Sequence, residues 1–141
     1  MKSYLFVCTG NTCRSPMAEV IFNDLLKKRG LHPTASSAGI MGWPGQSASQ
    51  NAIEAMREIG LDLSKHRARL LTQEMLGSYD QIYVMSASHL SALQQTASEF
   101  LDKIQILGDG IEDPYGQNMR VYRECRDQIF RTLRALVEKE L

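Results

Sequence analysis

Val7-Cys8-Thr9-Gly10-Asn11-Thr12-Cys13-Arg14-Ser15-Pro16 comes directly after Tyr4-Leu5-Phe6. A short apolar run that ends in small polar residues and a glycine reads as a strand over Tyr4–Val7, buried on both faces. Ser15 suits a helix N-cap, Pro16 the first helical position and Gly30 the stop. Between them Ala18, Ile21, Phe22, Leu25 and Leu26 recur at helical spacing, with Asn23, Lys27 and Lys28 opposite. The stretch is therefore the centre of a strand–loop–helix unit, and that unit decides the fold.

Similar units occupy the rest of the chain. A weaker strand is expected over Thr34–Ala38, a loop over Gly39–Gly45, and a helix over Gln50–Ile59 that Gly60 stops. A third helix is expected over Thr72–Ser78, a strand over Gln81–Met85, a helix over Ser88–Thr96 and a strand over Lys103–Leu107. The glycine-rich loop Gly108–Gly116 precedes a long last helix whose apolar stripe is Tyr122, Cys125, Ile129, Leu133, Leu136 and Val137. Strands alternating with helices predict a doubly wound α/β fold, with a four-stranded parallel sheet and helices on both faces. Ligands of such folds sit beyond the carboxyl ends of the strands. Both the loop after the first strand and Asp113 after the last fall there.

The bulk numbers narrow the classes. At 141 residues, with 43% apolar and 23% charged residues, one soluble domain spanning 1–141 is expected. Sixteen basic and sixteen acidic side chains cancel, which argues against nucleic acid or an anionic membrane as partner. No run approaches a membrane span, and the N-terminal apolar run is too short for a signal peptide. Three cysteines without an export signal read as reduced thiols of a cytoplasmic protein.

The loop Cys8–Arg14 runs into a helix N-terminus and is rich in residues that tolerate tight turns. Such a loop points several backbone N–H groups into one concavity, an anion site. The same positive field favours a thiolate, so Cys8 is expected to be nucleophilic near neutrality. Arg14 adds a planar fork of donors matched to two oxygens of a phosphate. Bare spacing is weak evidence: Cys125 also has an arginine six residues on, at Arg131, but the residues between are helical in pattern. Cys125 reads as a core thiol. A metal pair of Cys8 and Cys13 lacks further ligands, and neither Gly-Lys-Ser/Thr nor the dinucleotide glycine pattern is present.

Cys8-Thr9-Gly10-Asn11-Thr12-Cys13-Arg14-Ser15-Pro16 resembles the signature loop of the low-molecular-weight protein tyrosine phosphatases. Ser37-Ala38-Gly39, Trp43, His66-Arg67-Ala68-Arg69, Tyr79-Asp80-Gln81-Ile82 with Met85, and Asp113-Pro114-Tyr115 recur in family order. The resemblance implies a phosphoryl transfer without metal or cofactor, on phosphorylated proteins, by a monomer. Cys8 would attack phosphorus and form a phosphocysteine that water hydrolyses. Arg14 and the amides of Thr9, Gly10, Asn11, Thr12 and Cys13 would hold the phosphoryl oxygens, and Asp113 would act as general acid and then base. Tyr115 would wall the cleft. Trp43 would line the substrate wall or else pack within its glycine loop. The resemblance also implies that Ser15 bonds the Cys8 thiolate and that Asn11 is tied to His66 and Ser37, with a surface role the alternative for His66. A reversible Cys8–Cys13 disulfide under oxidation is a further implication. His32 and His89 are expected in a loop and on a helix surface.

The chain departs from the tyrosine pattern at Thr12, where an aliphatic residue is usual, and at Gly116, where many members carry a second aromatic. Ser86 and His89 depart as well. Cys-Thr-Gly-Asn-Thr-Cys-Arg-Ser with Asp-Pro-aromatic-Gly resembles the bacterial protein arginine phosphatase branch, which implies phosphoarginine as the substrate and phosphotyrosine as the runner-up. An arsenate reductase would need further cysteines, and a phosphocysteine carrier would have no use for Asp113.

Overall fold

The structure is a computed structural model and describes residues 2–141. Strands β1 (Tyr4–Cys8), β2 (Ala35–Gly39), β3 (Gln81–Val84) and β4 (Ile104–Ile106) form one parallel sheet in the order β2-β1-β3-β4. Helices α1 (Arg14–Lys28), α2 (Gln50–Arg57), α3 (Gln73–Ser78), α4 (Ala87–Thr96) and α5 (Met119–Glu140) connect and cover it, with a 3-10 helix over Ser98–Lys103. This is the expected doubly wound arrangement. Strand and helix ends lie within one to two residues of those read from the sequence, as fraying ends allow.

Every residue of β1 is buried, because side chains of a strand alternate between two covered faces. Tyr4, Phe6 and Cys8 face a core shared with Ile21 and Phe22 of α1, Met56 of α2, and Ile129 and Leu133 of α5. Leu5 and Val7 face the other core, with Leu76 of α3 and Leu93 of α4. Phe22 meets Tyr4 and Phe6 edge-on at 4.7 and 5.5 Å, and Phe6 stacks on Tyr83 at 5.8 Å. Contacts of this geometry contribute about 0.5–1.5 kcal/mol each beyond their buried area. The central strand is thus held in register from both sides, and its carboxyl end is a fixed platform for the loop that leaves it.

One local expectation is corrected. Helix α1 begins at Arg14, and Cys13 stands at its N-cap without a side-chain capping bond. Ser15 lies inside the first turn, where its hydroxyl faces the loop and not the helix end. A tertiary partner outcompetes the local cap that serine would otherwise form. Among the described residues no helix is long and apolar enough to cross a membrane.

Helices α2 and α5 are joined at Glu58. Its carboxylate accepts from Arg123 Nε and Nη2 at 3.0 and 2.8 Å and from Arg126 Nη1 at 2.8 Å, while Arg126 Nη1 also donates to the Ala55 carbonyl. These bonds lower the Glu58 pKa to about 2. A depressed carboxylate pKa stabilises the fold above the unfolded-state value and loses that contribution as pH falls toward the folded one. Thermal melts between pH 5 and about pH 2 are therefore expected to fall less steeply in Glu58→Gln than in the parent chain; parallel curves would show that the link carries no pH-dependent stability.

Candidate active site

The loop between β1 and α1 is shaped by what its carbonyls bond. Ile40 N–H donates to the Cys8 carbonyl at 2.9 Å, and Met41 N–H to Thr9 at 2.8 Å. His66 Nε2 donates to Asn11 at 2.7 Å, Ser49 N–H to Thr12 at 3.0 Å, and Met17 N–H to Cys13 at 3.2 Å. With the oxygens drawn outward, the N–H groups of the loop turn the other way. Among the described residues, no backbone carbonyl takes up the N–H of Gly10, Asn11, Thr12 or Cys13. Donors that converge beside a helix N-terminus make an oxyanion cradle.

Asn11 makes that curvature possible. Its φ is 57°, the left-handed region, and it is fully buried. Asparagine tolerates this conformation better than most residues, and here its side chain secures it. Nδ2 donates to Ser15 Oγ and Ser37 Oγ, both at 2.9 Å, and Oδ1 accepts from Arg69 N–H at 2.9 Å. Ser37 Oγ in turn donates to Glu19 Oε1 at 2.6 Å. The expected ties of Asn11 to Ser37 and His66 are present, the second through the backbone oxygen. Because Ser15 Oγ accepts from Asn11, its proton is available to Cys8 Sγ, 2.9 Å away.

Cys8, Arg14 and Asp113 meet at one cavity of about 240 Å³, whose walls include Thr9, Gly10, Thr12 and Cys13 of the loop and Tyr115 opposite. The Arg14 side chain is buried and donates from Nη1 to the Ile111 carbonyl at 2.9 Å. Its Nη2 lies 3.7 Å from Asp113 Oδ2, whose side chain is half exposed. Such a loose, screened pair adds no more than about 1 kcal/mol to stability; its consequence is geometric, since it brings a carboxylate to the mouth of the cradle. Asp113 Oδ1 accepts from Tyr115 N–H at 3.1 Å, which sets the loop that carries both. Tyr115 is largely exposed at the cavity lip. The chemistry open to this arrangement is nucleophilic attack by sulfur on a group held by N–H donors and a guanidinium, with a carboxylate able to move a proton.

At three residues the structure departs from the sequence reading or adds to it. Trp43, read as a substrate wall or as packed within its glycine loop, is 76% exposed and does not line the cavity, where Gln46 does. Cys13 Sγ sits against Tyr122 Oη at 3.2 Å and Ser49 Oγ at 3.4 Å, so α5 and the cap of α2 surround it. His89 is buried and bonds Thr9, contrary to the surface position expected for it. The signal was the Ser86-x-x-His89 spacing: with Ser86 as N-cap, His89 falls in the first turn of α4, which faces the neighbouring loop. Cys125 packs in the core, where burial pushes its thiol up to about 12. Among the described residues no cluster of three or more His, Cys, Asp or Glu side chains is placed to hold a metal ion.

A family model described as low molecular weight phosphotyrosine protein phosphatase matches residues 3–141. The protein-arginine-phosphatase of Bacillus subtilis is 33% identical, over 96% of this chain and 94% of that protein. The low molecular weight phosphotyrosine protein phosphatase of Sus scrofa is also 33% identical, over 98% and 95%. Among solved structures, the low molecular weight protein tyrosine phosphatase from T. tengcongensis is similar with a TM-score of 0.93 and 40% identity, over 99% of each chain.

Gly39 tests the shape of the loop. A Cβ there would lie 2.6 Å from the Thr9 carbonyl oxygen, 2.8 Å from Asn11 N and 2.9 Å from Gly10 C, all of them backbone atoms. Forcing a methyl into such a gap costs about 1–3 kcal/mol, and the loop is the part that must give. Gly39→Ala is expected to weaken binding of inorganic phosphate by about tenfold or more in a calorimetric titration. Unchanged affinity would show that this contact does not set the cradle.

Proposed function

The chain belongs to the low-molecular-weight phosphotyrosine protein phosphatase family, and on that premise we propose that it removes phosphoryl groups from phosphoarginine side chains of cytoplasmic proteins. The observation that carries the chemistry is the convergence of Cys8, Arg14 and Asp113 on one small cavity floored by loop N–H groups. In the first step the Cys8 thiolate attacks phosphorus in line, forming a P–S bond as the P–N bond breaks. Asp113 gives its proton to the departing guanidino nitrogen. In the second, Asp113 takes a proton from a water that attacks phosphorus, the P–S bond breaks, and phosphate leaves with the thiolate restored. Arg14 and the loop amides hold the equatorial oxygens in both steps, so positioning and electrostatics supply most of the acceleration.

The preference for arginine rests on Thr12. Its side chain is buried at the cavity wall, where a hydroxyl suits a polar guanidinium better than an apolar ring. A groove continuing from the cavity past Arg14 carries Asp109, Glu112 and Asp113, carboxylates that suit a delocalised cation. The protein-arginine-phosphatase relative supports the same reading. Gly116 weighs less than the sequence suggested. Its φ of 77° and the Gln117 N–H bond to the Pro114 carbonyl give it a backbone reason to be glycine, in a turn that needs a positive φ. Phosphotyrosine is the second reading: Tyr115 presents an exposed ring at the cavity lip, on which a phenol could stack.

Parallel kinetics on phosphoarginine and phosphotyrosine peptides test these assignments. Cys8→Ser is expected to abolish turnover of both, and Asp113→Asn to lower kcat by roughly 10²–10⁴-fold. Thr12→Ile is expected to shift the ratio of kcat/KM values toward phosphotyrosine by about tenfold or more. A parent chain that prefers phosphotyrosine, or a ratio that Thr12→Ile leaves in place, would overturn the arginine reading.

A further inference from the structure

We propose that His89 is a positioning residue for the phosphate loop: it holds the Thr9 side chain from the neighbouring crossover and so fixes the peptide on either side of it. The proposal rests on the phosphatase reading, because it assumes that the loop receives a phosphoryl group. His89 lies in the first turn of α4, is only 6% exposed, and has both ring nitrogens engaged. Nε2 is 2.8 Å from Thr9 Oγ1 and Nδ1 is 2.9 Å from Ser86 Oγ, which also accepts from His89 N–H at 3.4 Å. The ring orientation is therefore determined by two hydroxyls, one from its own helix cap and one from the loop.

Thr9 is held from two directions. Its carbonyl accepts from Met41 N–H, in the segment that leaves β2, and its hydroxyl meets His89, in the helix that leaves β3. These strands are the two neighbours of β1. Thr9 is bonded to Cys8 on one side and to Gly10 on the other, so its position sets both the sulfur and the first free N–H of the cradle. Its side chain stands between the cavity of about 240 Å³ and the larger groove of about 790 Å³ beyond it. Without His89 the backbone bond to Met41 would still hold the carbonyl, but the residue would be free to rotate about it. A site that must fit within a fraction of an ångström loses most when such a supporting bond goes.

The chemistry of the contact fits a neutral imidazole. Burial lowers the His89 pKa, Arg14 from α1 adds to the lowering, and Asp113 before α5 opposes it. A neutral ring offers one donor and one acceptor, and hydroxyls such as those of Ser86 and Thr9 can satisfy either role. A capping role alone would explain the Ser86 bonds, but it gives no reason for the second nitrogen to reach Thr9.

A double-mutant cycle in the full chain decides the matter. It uses hydrolysis of p-nitrophenyl phosphate, competitive inhibition by inorganic phosphate, and thermal melting. His89→Leu is expected to lower kcat/KM and weaken phosphate inhibition by about three- to tenfold, the effect of losing one supporting hydrogen bond. Thr9→Val should cost a similar factor, and the pair together no more than the worse single change, because both remove one bond. His89→Gln, whose amide still reaches a hydroxyl, should recover most of the loss, and its own cycle with Thr9→Val replaces the leucine one if His89→Leu fails to fold. Multiplicative losses, or a His89 variant that lowers Tm while phosphate inhibition stays within about twofold, would overturn the proposal. A parent chain no more active than Cys8→Ser would instead sink the phosphatase reading, and this inference with it.

Discussion

The structure depends on one constraint: a run of peptide units between β1 and α1 must turn its carbonyls outward so that its N–H groups converge. Asn11 tolerates the turn this needs, but the run by itself does not select it. Isolated, it would expose its carbonyls to water in many conformations and lose the entropy of choosing one. The fold meets the cost with partners placed in advance. Segments after β2 supply Ile40, Met41, Ser49 and His66, and each donates to a carbonyl of the loop. The cradle is thus an imprint of the scaffold, formed before any oxyanion arrives, which is the condition for electrostatic stabilisation without reorganisation at the moment of reaction.

The same logic explains why the polar residues of the site are buried without being costly. Asn11, Ser15, Ser37 and Arg14 are shielded from solvent, yet each is hydrogen-bonded. A buried network is stabilising when every member is satisfied and harmful when one is not. The chain of bonds from Glu19 through Ser37 and Asn11 to Ser15 ends at Cys8 Sγ. Its order leaves a hydroxyl proton for the sulfur of the proposed nucleophile. Arg14, tied to the Ile111 carbonyl, couples this network to the loop that carries Asp113. The proposed acid and nucleophile come from opposite ends of the chain and are brought together by one guanidinium.

Family membership leaves the leaving group open, since the relatives include proteins named for arginine and proteins named for tyrosine. The proposed distinction falls on side chains at the cavity wall and not on the loop amides. Thr12 and Gln46 make the lining polar, and the groove beside it is acidic. Tyr115 alone offers an aromatic face at the cavity, with Trp43 turned away to solvent. A phenyl ring gains from apolar walls on both sides, whereas a guanidinium gains from polar ones and from one flat face.

The order of elements, the parallel sheet and the position of the cysteine loop were all legible in the sequence. They depend on local signals: an apolar run too short for anything but a strand, helical spacing after Pro16, glycine at the breaks. The proposed loop chemistry could be read for the same reason, because Cys8, Asn11 and Arg14 lie within one turn-forming stretch. Local signals did not say which polar groups would meet. Ser15 read as a cap by its neighbours, and only the family resemblance pointed to its bond with Cys8; His89 read as a surface residue but reaches Thr9, eighty positions away. Periodicity reports which face of a helix is buried, not what stands against it. That information enters only when the sheet order sets β3 beside β1 and brings their crossovers to one edge.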